Sequence, residues 1–236
     1  MGTAKAVLGS VFGRFLFRDA TVARVETPSP RFRRIALRGA ALANVGWQAG
    51  DKLEVFLPLV GTRAYTPLDW DEAQGATTLL VYLHGEAPGT AWARTLAEGA
   101  SVQLLGPRRS LAAPGSAPVV VFGDETSVGL AHALAGTEPA RPLRAVLEVE
   151  DVAASRAVCD QLGLTATLVP RAADDAHLPE VHRRLSESWG VHTAATLVMS
   201  GRAQAIKTLR SHMRGAGEAP PACTKAYWSV GKAGLD

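Results

Sequence analysis

The chain has 236 residues, of which 47% are hydrophobic and 20% are charged, and this balance excludes a disordered or collagen-like protein. Lysine and arginine (25) outnumber aspartate and glutamate (22) by only three, so the charge does not argue for nucleic-acid binding but suits an acidic ligand. The two cysteines, Cys159 and Cys223, lack CxxC spacing, which argues against a disulfide framework and against a zinc site.

The N-terminal stretch MGTAKAVLGSVFGRFLFRD does not have the pattern of a secretory signal. Arg14 interrupts its apolar part, and no small-residue cleavage site follows. No run in the chain reaches the roughly 20 apolar residues of a membrane span. We therefore expect a cytoplasmic protein with an N-terminal arm and no stable membrane insertion, the alternative being weak contact of Phe12, Phe15 and Phe17 with a membrane surface.

Up to residue 113, short runs rich in Val, Leu, Phe and Tyr alternate with Pro and Gly turns, which predicts an antiparallel β-barrel or sandwich. The strand-like runs are TVARVE, FRRIALRG, DKLEVFLPL, TRAYTP, TTLLVYLHG and SVQLLGP. One helix is predicted from Gly89 to Gly99. The following segment, Leu111 to Pro118, is rich in Ala, Pro and Gly and has no charge, which is typical of a linker.

Beyond this linker, strand and helix patterns alternate, which predicts a parallel sheet with helices on its faces. Ligands of such sheets bind beyond the carboxyl ends of the strands. We therefore predict an N-terminal antiparallel β-barrel over residues 1–113 and an α/β parallel-sheet domain of the nucleotide-binding type over residues 114–236. The strand and helix pairs are PVVVFG with DETSVGLAHALAG, LRAVLEVE with DVAASRAVCDQLG, TATLVP with PEVHRRLSESW, and ATLVMS with RAQAIKTLRSHMRG.

The stretch GTRAYTPLDW places three functional side chains at the end of a strand. A guanidinium such as that of Arg63 can hold phosphate oxygens with two parallel hydrogen bonds. Alternate strand residues share a face, so Arg63 and Tyr65 should lie together, with Thr66 opposite them or at the strand end. Taken alone, RAYT is equally compatible with an ordinary strand that ends at the surface.

Four motif blocks in a fixed order resemble siderophore-interacting proteins, the flavin-dependent ferric-siderophore reductases within the ferredoxin reductase-like superfamily. The blocks are RAYT, LHGEAPGTAWARTLAEGASVQLLGPRRS, FGDETSVGLAHAL and AYWSVGKAG, and the resemblance covers residues 22–234. It implies that the barrel binds FAD. The residues expected to contact FAD are Arg63, Ala64, Tyr65, Thr66, His84, Gly85, Gly89, Thr90, Ala91, Trp92, Tyr227 and Trp228.

Two parts of this FAD site have alternative interpretations. The N–H groups of Thr90 and Ala91 would face a pyrophosphate at a helix N-terminus, or else Thr90 is only an N-cap and Trp92 only a core aromatic. Tyr227 or Trp228 would cover the flavin face that nicotinamide must reach, or else both belong to a buried C-terminal strand.

The resemblance also implies an NAD(P)H site in the second domain, but this sequence departs from the family pattern there. Ser127 to Gly129 replace the usual Ala-x-Pro, and Ser200, Gly201 and Arg202 replace Ala-Gly-Glu. Arg171 could pair with the 2′-phosphate of NADPH, which favours NADPH over NADH, although a lone arginine more commonly forms a surface salt bridge. A ferredoxin-type protein donor is the alternative. The residues expected at the NAD(P)H site are Asp124, Glu125, Thr126, Ser127, Arg171 and Gly201.

The implied reaction is hydride transfer from NAD(P)H to FAD, followed by electron transfer to Fe(III) in a siderophore, which releases iron. It needs no nucleophile or general base on the protein, and the histidines lack metal-ligand spacing, so no protein metal site is expected. We expect a monomer. The alternatives are a flavin reductase or ferredoxin-linked electron transferase of the same superfamily, and a non-catalytic binder of flavin or siderophore.

Anionic siderophores would be attracted by a basic rim around the cleft. Each candidate is individually compatible with an ordinary solvated surface charge as well. The candidates for contact with the siderophore are Arg31, Arg33, Arg108, Arg109, Lys225 and Lys232.

Overall fold

The computed structural model describes residues 17–138, 140–190, 194–218 and 220–232. Phe12 and Phe15 of the predicted N-terminal arm lie outside the described residues. No helix within the described ranges is long and apolar enough to cross a membrane.

The described residues form two β-sheets and five α-helices. The strands are β1 (Arg18–Ser29), β2 (Phe32–Arg38), β3 (Lys52–Leu57), β4 (Gly61–Tyr65), β5 (Pro67–Asp71), β6 (Ala76–Tyr82), β7 (Ser101–Arg108), β8 (Val119–Gly123), β9 (Leu143–Val149), β10 (Ala166–Pro170), β11 (Thr196–Met199) and β12 (Ala222–Thr224). The α-helices are α1 (Pro88–Thr95), α2 (Val128–Thr137), α3 (Val152–Gln161), α4 (Leu178–Gly190) and α5 (Ala203–Gly215).

The first sheet is antiparallel and has the strand order β4-β3-β7-β1-β2-β6-β5. Its two edge strands, β4 and β5, are separated in sequence only by Thr66. Because consecutive Cα atoms are about 3.8 Å apart, the sheet must curl until its two edges approach each other at Thr66. Alternating apolar residues such as Leu53, Val55 and Leu57 fill the inside of this curled sheet.

The second sheet is parallel and has the order β10-β9-β8-β11-β12. Helices α2 and α3 pack on the side that faces the first sheet, whereas α4 and α5 pack together on the opposite side. Strand β8 is buried along its whole length because both faces of the sheet are covered. The predicted fold class, an antiparallel sheet followed by a parallel sheet with helices, is confirmed.

The two sheets share a packed boundary close to Thr66. A Cβ atom on Gly129 in α2 would lie 3.2 Å from the backbone oxygen of Thr66 and 3.6 Å from a methyl of Leu68. One apolar cluster combines Phe32 and Tyr82 of the first sheet with residues of the second. The division into domains at residue 113 stays a prediction.

Candidate functional site

The end of β4 presents Arg63 and Tyr65 to helix α1. A Cβ atom on Gly89 would lie 2.6 Å from the phenol oxygen of Tyr65 and 3.8 Å from Cγ of Arg63, so glycine allows an approach that a side chain would block. The ring of Tyr65 lies 5.9 Å from that of Trp92. Burial raises the pKa of Tyr65 to about 12, so this phenol is neutral at physiological pH. The structure thus brings these four predicted residues together.

The N-terminus of α1 has two backbone N–H groups that precede its first intrahelical hydrogen bond, and they lie beside this strand end. The N–H of Ala91 donates to the carbonyl oxygen of Ala87 at 3.0 Å, so it already serves the helix. The groups that precede the first such bond are those of Gly89 and Thr90. The prediction that Ala91 offers its N–H to a ligand is therefore corrected, because the helix starts at Pro88 rather than at Gly89.

Thr90 holds the turn that precedes α1 and is not the N-cap of that helix. Its buried hydroxyl donates to the carbonyl oxygen of His84 at 3.0 Å and accepts from the N–H of the same residue at 3.2 Å. The N-cap is Ala87, which has no capping side chain. Gly85 supports the turn with a φ of +53°, a conformation that favours glycine.

Tyr227 links the curled sheet to the parallel sheet. Its phenol oxygen lies 3.0 Å from Oγ1 of Thr66, and its backbone N–H donates to the carbonyl oxygen of Gly201 at 2.8 Å. Burial raises its pKa to about 12, while the hydrogen bond to Thr66 opposes that rise. The residue follows β12 and is not part of a C-terminal strand.

Trp228 lies between the end of β8 and the turn after β6, where the two sheets approach each other; this place is called the mouth between the sheets. Its indole N–H donates to Oδ2 of Asp124 at 2.7 Å. One side of the ring stacks near His84, with ring centroids 6.2 Å apart, and the guanidinium of Arg171 lies 6.0 Å from the ring centroid. The covering role predicted for the C-terminal aromatics stays a prediction.

The end of β8 is a tightly packed polar turn. Oδ1 of Asp124 accepts from the N–H of Thr126 at 2.9 Å, which caps the short 3-10 helix that leads into α2. Burial raises the pKa of Asp124, and the hydrogen bonds from Thr126 and Trp228 oppose this. A Cβ atom on Gly201 would lie 2.4 Å from Oδ2 of Asp124, so a larger residue does not fit beside this carboxylate.

The buried side chain of Ser127 forms hydrogen bonds within the same turn. Its hydroxyl accepts from the hydroxyl of Ser200 at 2.7 Å and from the N–H of Asp124 at 3.3 Å. A Cβ atom on Gly123 would lie 2.3 Å from the Ser127 hydroxyl. This hydrogen-bonded packing occupies the position where the family pattern has Ala-x-Pro.

Arg171 sits at the end of β10 and is bound by two carboxylates. Its guanidinium lies 2.8 Å from Oε2 of Glu125 and 3.0 Å from Oε1 of Glu150. Burial raises the pKa of Glu125, an effect that the charge of Arg171 opposes. The arginine that was expected to meet a 2′-phosphate is thus already paired within the protein.

Arg202 replaces the family's carboxylate and lies at the centre of a buried ionic network. It donates from Nε to Oε1 of Glu148 at 3.1 Å and from Nη2 to Oδ1 of Asp175 at 2.6 Å. Burial alone would lower the pKa of Arg202, but these hydrogen bonds raise it above its ordinary value. His177 adds a 2.6 Å contact from Nε2 to Glu148, and its Nδ1 accepts from the backbone N–H of Ala172.

The family model that matches residues 59–111 is described as the siderophore-interacting FAD-binding domain. Residues 59–111 are therefore similar to a siderophore-interacting FAD-binding domain. The matched segment contains β4, the Thr66 junction, helix α1 and β7, which are the elements assembled around Arg63 and Tyr65. The resemblance seen in the sequence motifs is confirmed, and so is the expectation of an FAD-binding domain. A comparison with curated proteins finds no match.

Solved structures share the whole fold. A siderophore utilization protein from T. fusca has a TM-score of 0.73 and 22% identity, covering 93% of this chain and 95% of that one. The siderophore-interacting protein from Aeromonas hydrophila has a TM-score of 0.69 and 20% identity, covering 92% of both chains. A ferredoxin NADP+ reductase from Neisseria gonorrhoeae has a TM-score of 0.70 and 15% identity, covering 90% of this chain and 99% of that one. At these identities the likeness establishes the fold.

The basic candidates for siderophore contact lie in different surroundings around the FAD-binding domain. Arg31 pairs with Glu150 at 3.0 Å and lies near the mouth between the sheets. Arg33 donates to the carbonyl oxygens of Arg94 and Leu96 at 2.7 and 3.2 Å, and therefore holds the C-terminal end of α1. For Arg33 these bonds indicate a structural role rather than the predicted contact with substrate.

The remaining basic candidates are all exposed. Arg109 lies 3.4 Å from the buried carboxylate of Asp51. No ion pair is seen within the described part of the chain for Arg108, Lys225 and Lys232.

Two acidic residues, one in β9 and one directly after it, were not among the residues predicted from the sequence. Glu148 is fully buried and Glu150 is the shared partner of Arg31 and Arg171. Both stand in the run LRAVLEVE, where a glutamate inside an apolar strand of a covered parallel sheet is unusual enough to have indicated a buried charge pair.

Proposed function

We propose that the protein is a flavin-dependent ferric-siderophore reductase. The observation that carries the proposal is the match of residues 59–111 to the siderophore-interacting FAD-binding domain, together with the assembly of Arg63, Tyr65 and the N-terminus of α1 that this segment forms. Bound FAD would accept a hydride from NAD(P)H and return the two electrons singly to two Fe(III) ions.

The residues at the β4 end fit an anionic dinucleotide. The guanidinium of Arg63 donates only to the neighbouring carbonyl oxygen of Thr62, at 2.7 Å, and has no carboxylate partner among the described residues. The unpaired N–H groups of Gly89 and Thr90 lie on the helix that packs against the same side chain, where the helix dipole adds positive potential. These groups would bind the phosphates of FAD.

The protein's part in the reaction is orientation and exclusion of water. Tyr65 and Thr66 would hold the flavin at the junction of the two sheet edges, where Thr66 is itself fixed by Tyr227. Trp228 covers the mouth at which a nicotinamide would enter, so it must move or slide before hydride transfer. Neutral phenols at Tyr65 and Tyr227 keep this region free of additional negative charge.

The donor and the substrate follow from the same proposal. The ferredoxin NADP+ reductase from Neisseria gonorrhoeae carries FAD and NADP on this fold, which supports NAD(P)H as donor. The exposed cations Arg31, Arg108 and Lys225 would attract an anionic ferric chelate. A monomer in the cytoplasm is part of this proposal, and a ferredoxin-type donor is its competitor.

The experiment combines flavin binding with iron reduction. Purified protein is titrated with FAD, and the complex is then mixed anaerobically with NADH or NADPH, a ferric siderophore and an Fe(II)-trapping dye. We expect a bound-flavin spectrum and Fe(II) formation that depends on both FAD and the nucleotide. Reduction of free flavin without iron reduction would identify a flavin reductase, and the absence of FAD binding would refute the proposal at its first step.

A further inference from the structure

The end of β9 occupies a defined place in the parallel sheet. Strand β9 is the second strand of this sheet in sequence and pairs with β8, the first. In doubly wound dinucleotide-binding sheets, an acidic residue near this position accepts a hydrogen bond from the ribose 2′-hydroxyl of NAD, whereas an arginine nearby accommodates the 2′-phosphate of NADP. Here both residue types are present, as Glu150 directly after β9 and Arg171 directly after β10.

Arg171 is not available to a phosphate. Its side chain is only 15% exposed, and its guanidinium is held by Glu125 at 2.8 Å and by Glu150 at 3.0 Å. Glu125 is itself 2% exposed, so a phosphate that displaced it would leave a buried carboxylate without its partner. Trp228 further covers the guanidinium from one side.

The other two arginines at this edge are paired in the same way. Arg202 is 8% exposed and is bound to Glu148 and Asp175. Arg31 is half exposed, but it is bound to Glu150 at 3.0 Å. Carboxylates outnumber arginines in this network, although the chain as a whole has a net charge of +3.

Glu150 is the shared element of the exposed part of this network. Its side chain is 46% exposed, and its two carboxylate oxygens pair with different arginines, Oε1 with Arg171 and Oε2 with Arg31. The phenol of Tyr82 also donates to Oε2, at 3.2 Å. One carboxylate therefore holds Arg31, the more exposed arginine, and also contributes to holding Arg171.

We propose that the nucleotide site selects NADH over NADPH and that Glu150 determines this preference. Glu150 accepts a hydrogen bond from the ribose 2′-hydroxyl and keeps Arg31 and Arg171 paired, so a 2′-phosphate meets negative charge and no free guanidinium. This inference rests on the proposed function, because it assigns the donor of the same reaction.

The test compares the two nucleotides on the FAD-loaded protein. In anaerobic stopped-flow experiments, we expect the second-order rate constant of flavin reduction to be at least tenfold larger with NADH than with NADPH. In Glu150→Ala we expect the NADH constant to fall and the NADPH constant to rise, because Arg31 loses its carboxylate partner and the negative charge of Glu150 is removed. Glu150→Gln removes the charge but keeps an acceptor, and should give an intermediate ratio.

Binding is measured separately from reduction. Isothermal titration with 5′-AMP and with 2′,5′-ADP should show tighter binding of 5′-AMP to the original protein and a reversed order in Glu150→Ala. The matched control is Glu138→Ala, an exposed glutamate after α2 at the opposite end of the sheet, which should leave the ratio unchanged. Adding Arg31→Ala to Glu150→Ala should abolish the gain in 2′,5′-ADP affinity.

Three results would overturn the inference. The first two are an original protein that reacts equally well or better with NADPH, and a ratio that Glu150→Ala does not change. Failure of both nucleotides to reduce the flavin would also overturn it. In that case, dithionite-reduced protein is mixed with the ferric siderophore. Formation of Fe(II) would mean that the protein reduces iron but uses another donor. No Fe(II) formation would refute the proposed iron reduction as well.

Discussion

The end of β4 and the carboxyl edge of the parallel sheet differ in whether their arginines are paired with carboxylates. At the end of β4, Arg63 has no carboxylate partner among the described residues, and two helix N–H groups lie close by. At the carboxyl edge, Arg171 and Arg202 are each bound by two carboxylates and are largely buried. The first region has an arginine without a carboxylate partner, whereas both arginines of the second region are paired with carboxylates.

This difference separates binding strength from selectivity. Unpaired donors on a rigid strand and helix gain most of their interaction energy when the ligand arrives, so they suit a tightly held FAD. A saturated ionic network offers little new attraction but penalises a ligand of the wrong charge, which is a means of discrimination. The comparison therefore predicts that substitutions at the two regions have different readouts.

The largest effect is expected from Arg202→Ala, and it should appear in stability. Glu148 is fully buried, so removing its guanidinium partner leaves a buried carboxylate poorly compensated, at a cost of about 3–5 kcal/mol. Urea unfolding followed by circular dichroism measures this loss. Arg210→Ala, an exposed arginine on α5, is the matched control and should stay close to the original protein. A loss below 1 kcal/mol in Arg202→Ala would show that the network is solvated.

Arg63→Ala should instead leave stability nearly unchanged and weaken FAD binding. A hydrogen bond to a charged group contributes about 1.5–3 kcal/mol, which corresponds to roughly a 10- to 100-fold rise in the FAD dissociation constant. Fluorescence titration of the apoprotein with FAD measures the dissociation constant. Arg38→Ala, which changes an exposed arginine, is the control. Unaltered affinity in Arg63→Ala would exclude this residue from the phosphate site.

The sequence was sufficient to predict the fold class and the pairing of motifs around Tyr65. Period-2 strands with turn residues and repeated strand and helix patterns are local signals, and they survive in the structure as two sheets. The start of α1 was misplaced because Pro88 was assigned to the turn, although proline is well suited to the first turn of a helix.

The ionic network could not be predicted because its members are distant in sequence. Glu125, Glu148 and Arg171 meet only because the carboxyl ends of three parallel strands lie side by side. Arg202 looked like the loss of a functional carboxylate, since sequence alone does not show that Asp175 and Glu148 surround it.

A smaller effect is expected from Tyr227→Phe, which tests the link between the two regions. The variant removes a single hydrogen bond, 3.0 Å long, to Thr66 and should cost about 0.5–1.5 kcal/mol of unfolding free energy. A double-mutant cycle with Thr66→Val isolates the pair, because the two losses should not add. Additive losses would mean that the two hydroxyls do not stabilise each other.

The smallest effect is expected from Asp175→Asn and should depend on pH. The hydrogen bond from Arg202 lowers the pKa of Asp175, so the folded protein binds this proton less readily than the unfolded chain does. The stabilisation is therefore present above about pH 4 and is lost as the pH falls through the lowered pKa. Because the carboxylate is partly exposed, we expect at most about 1 kcal/mol at neutral pH.

Asp175 has a φ of +59°, which asparagine also tolerates, so the substitution changes the charge without straining the backbone. Thermal unfolding of Asp175→Asn from pH 7 to about pH 2 should approach the original protein at the acidic end, whereas Asp174→Asn, an exposed neighbour with a similar backbone conformation, should follow the original protein throughout. A difference between Asp175→Asn and the original protein that does not shrink as the pH falls would assign the effect to packing rather than to the ion pair with Arg202.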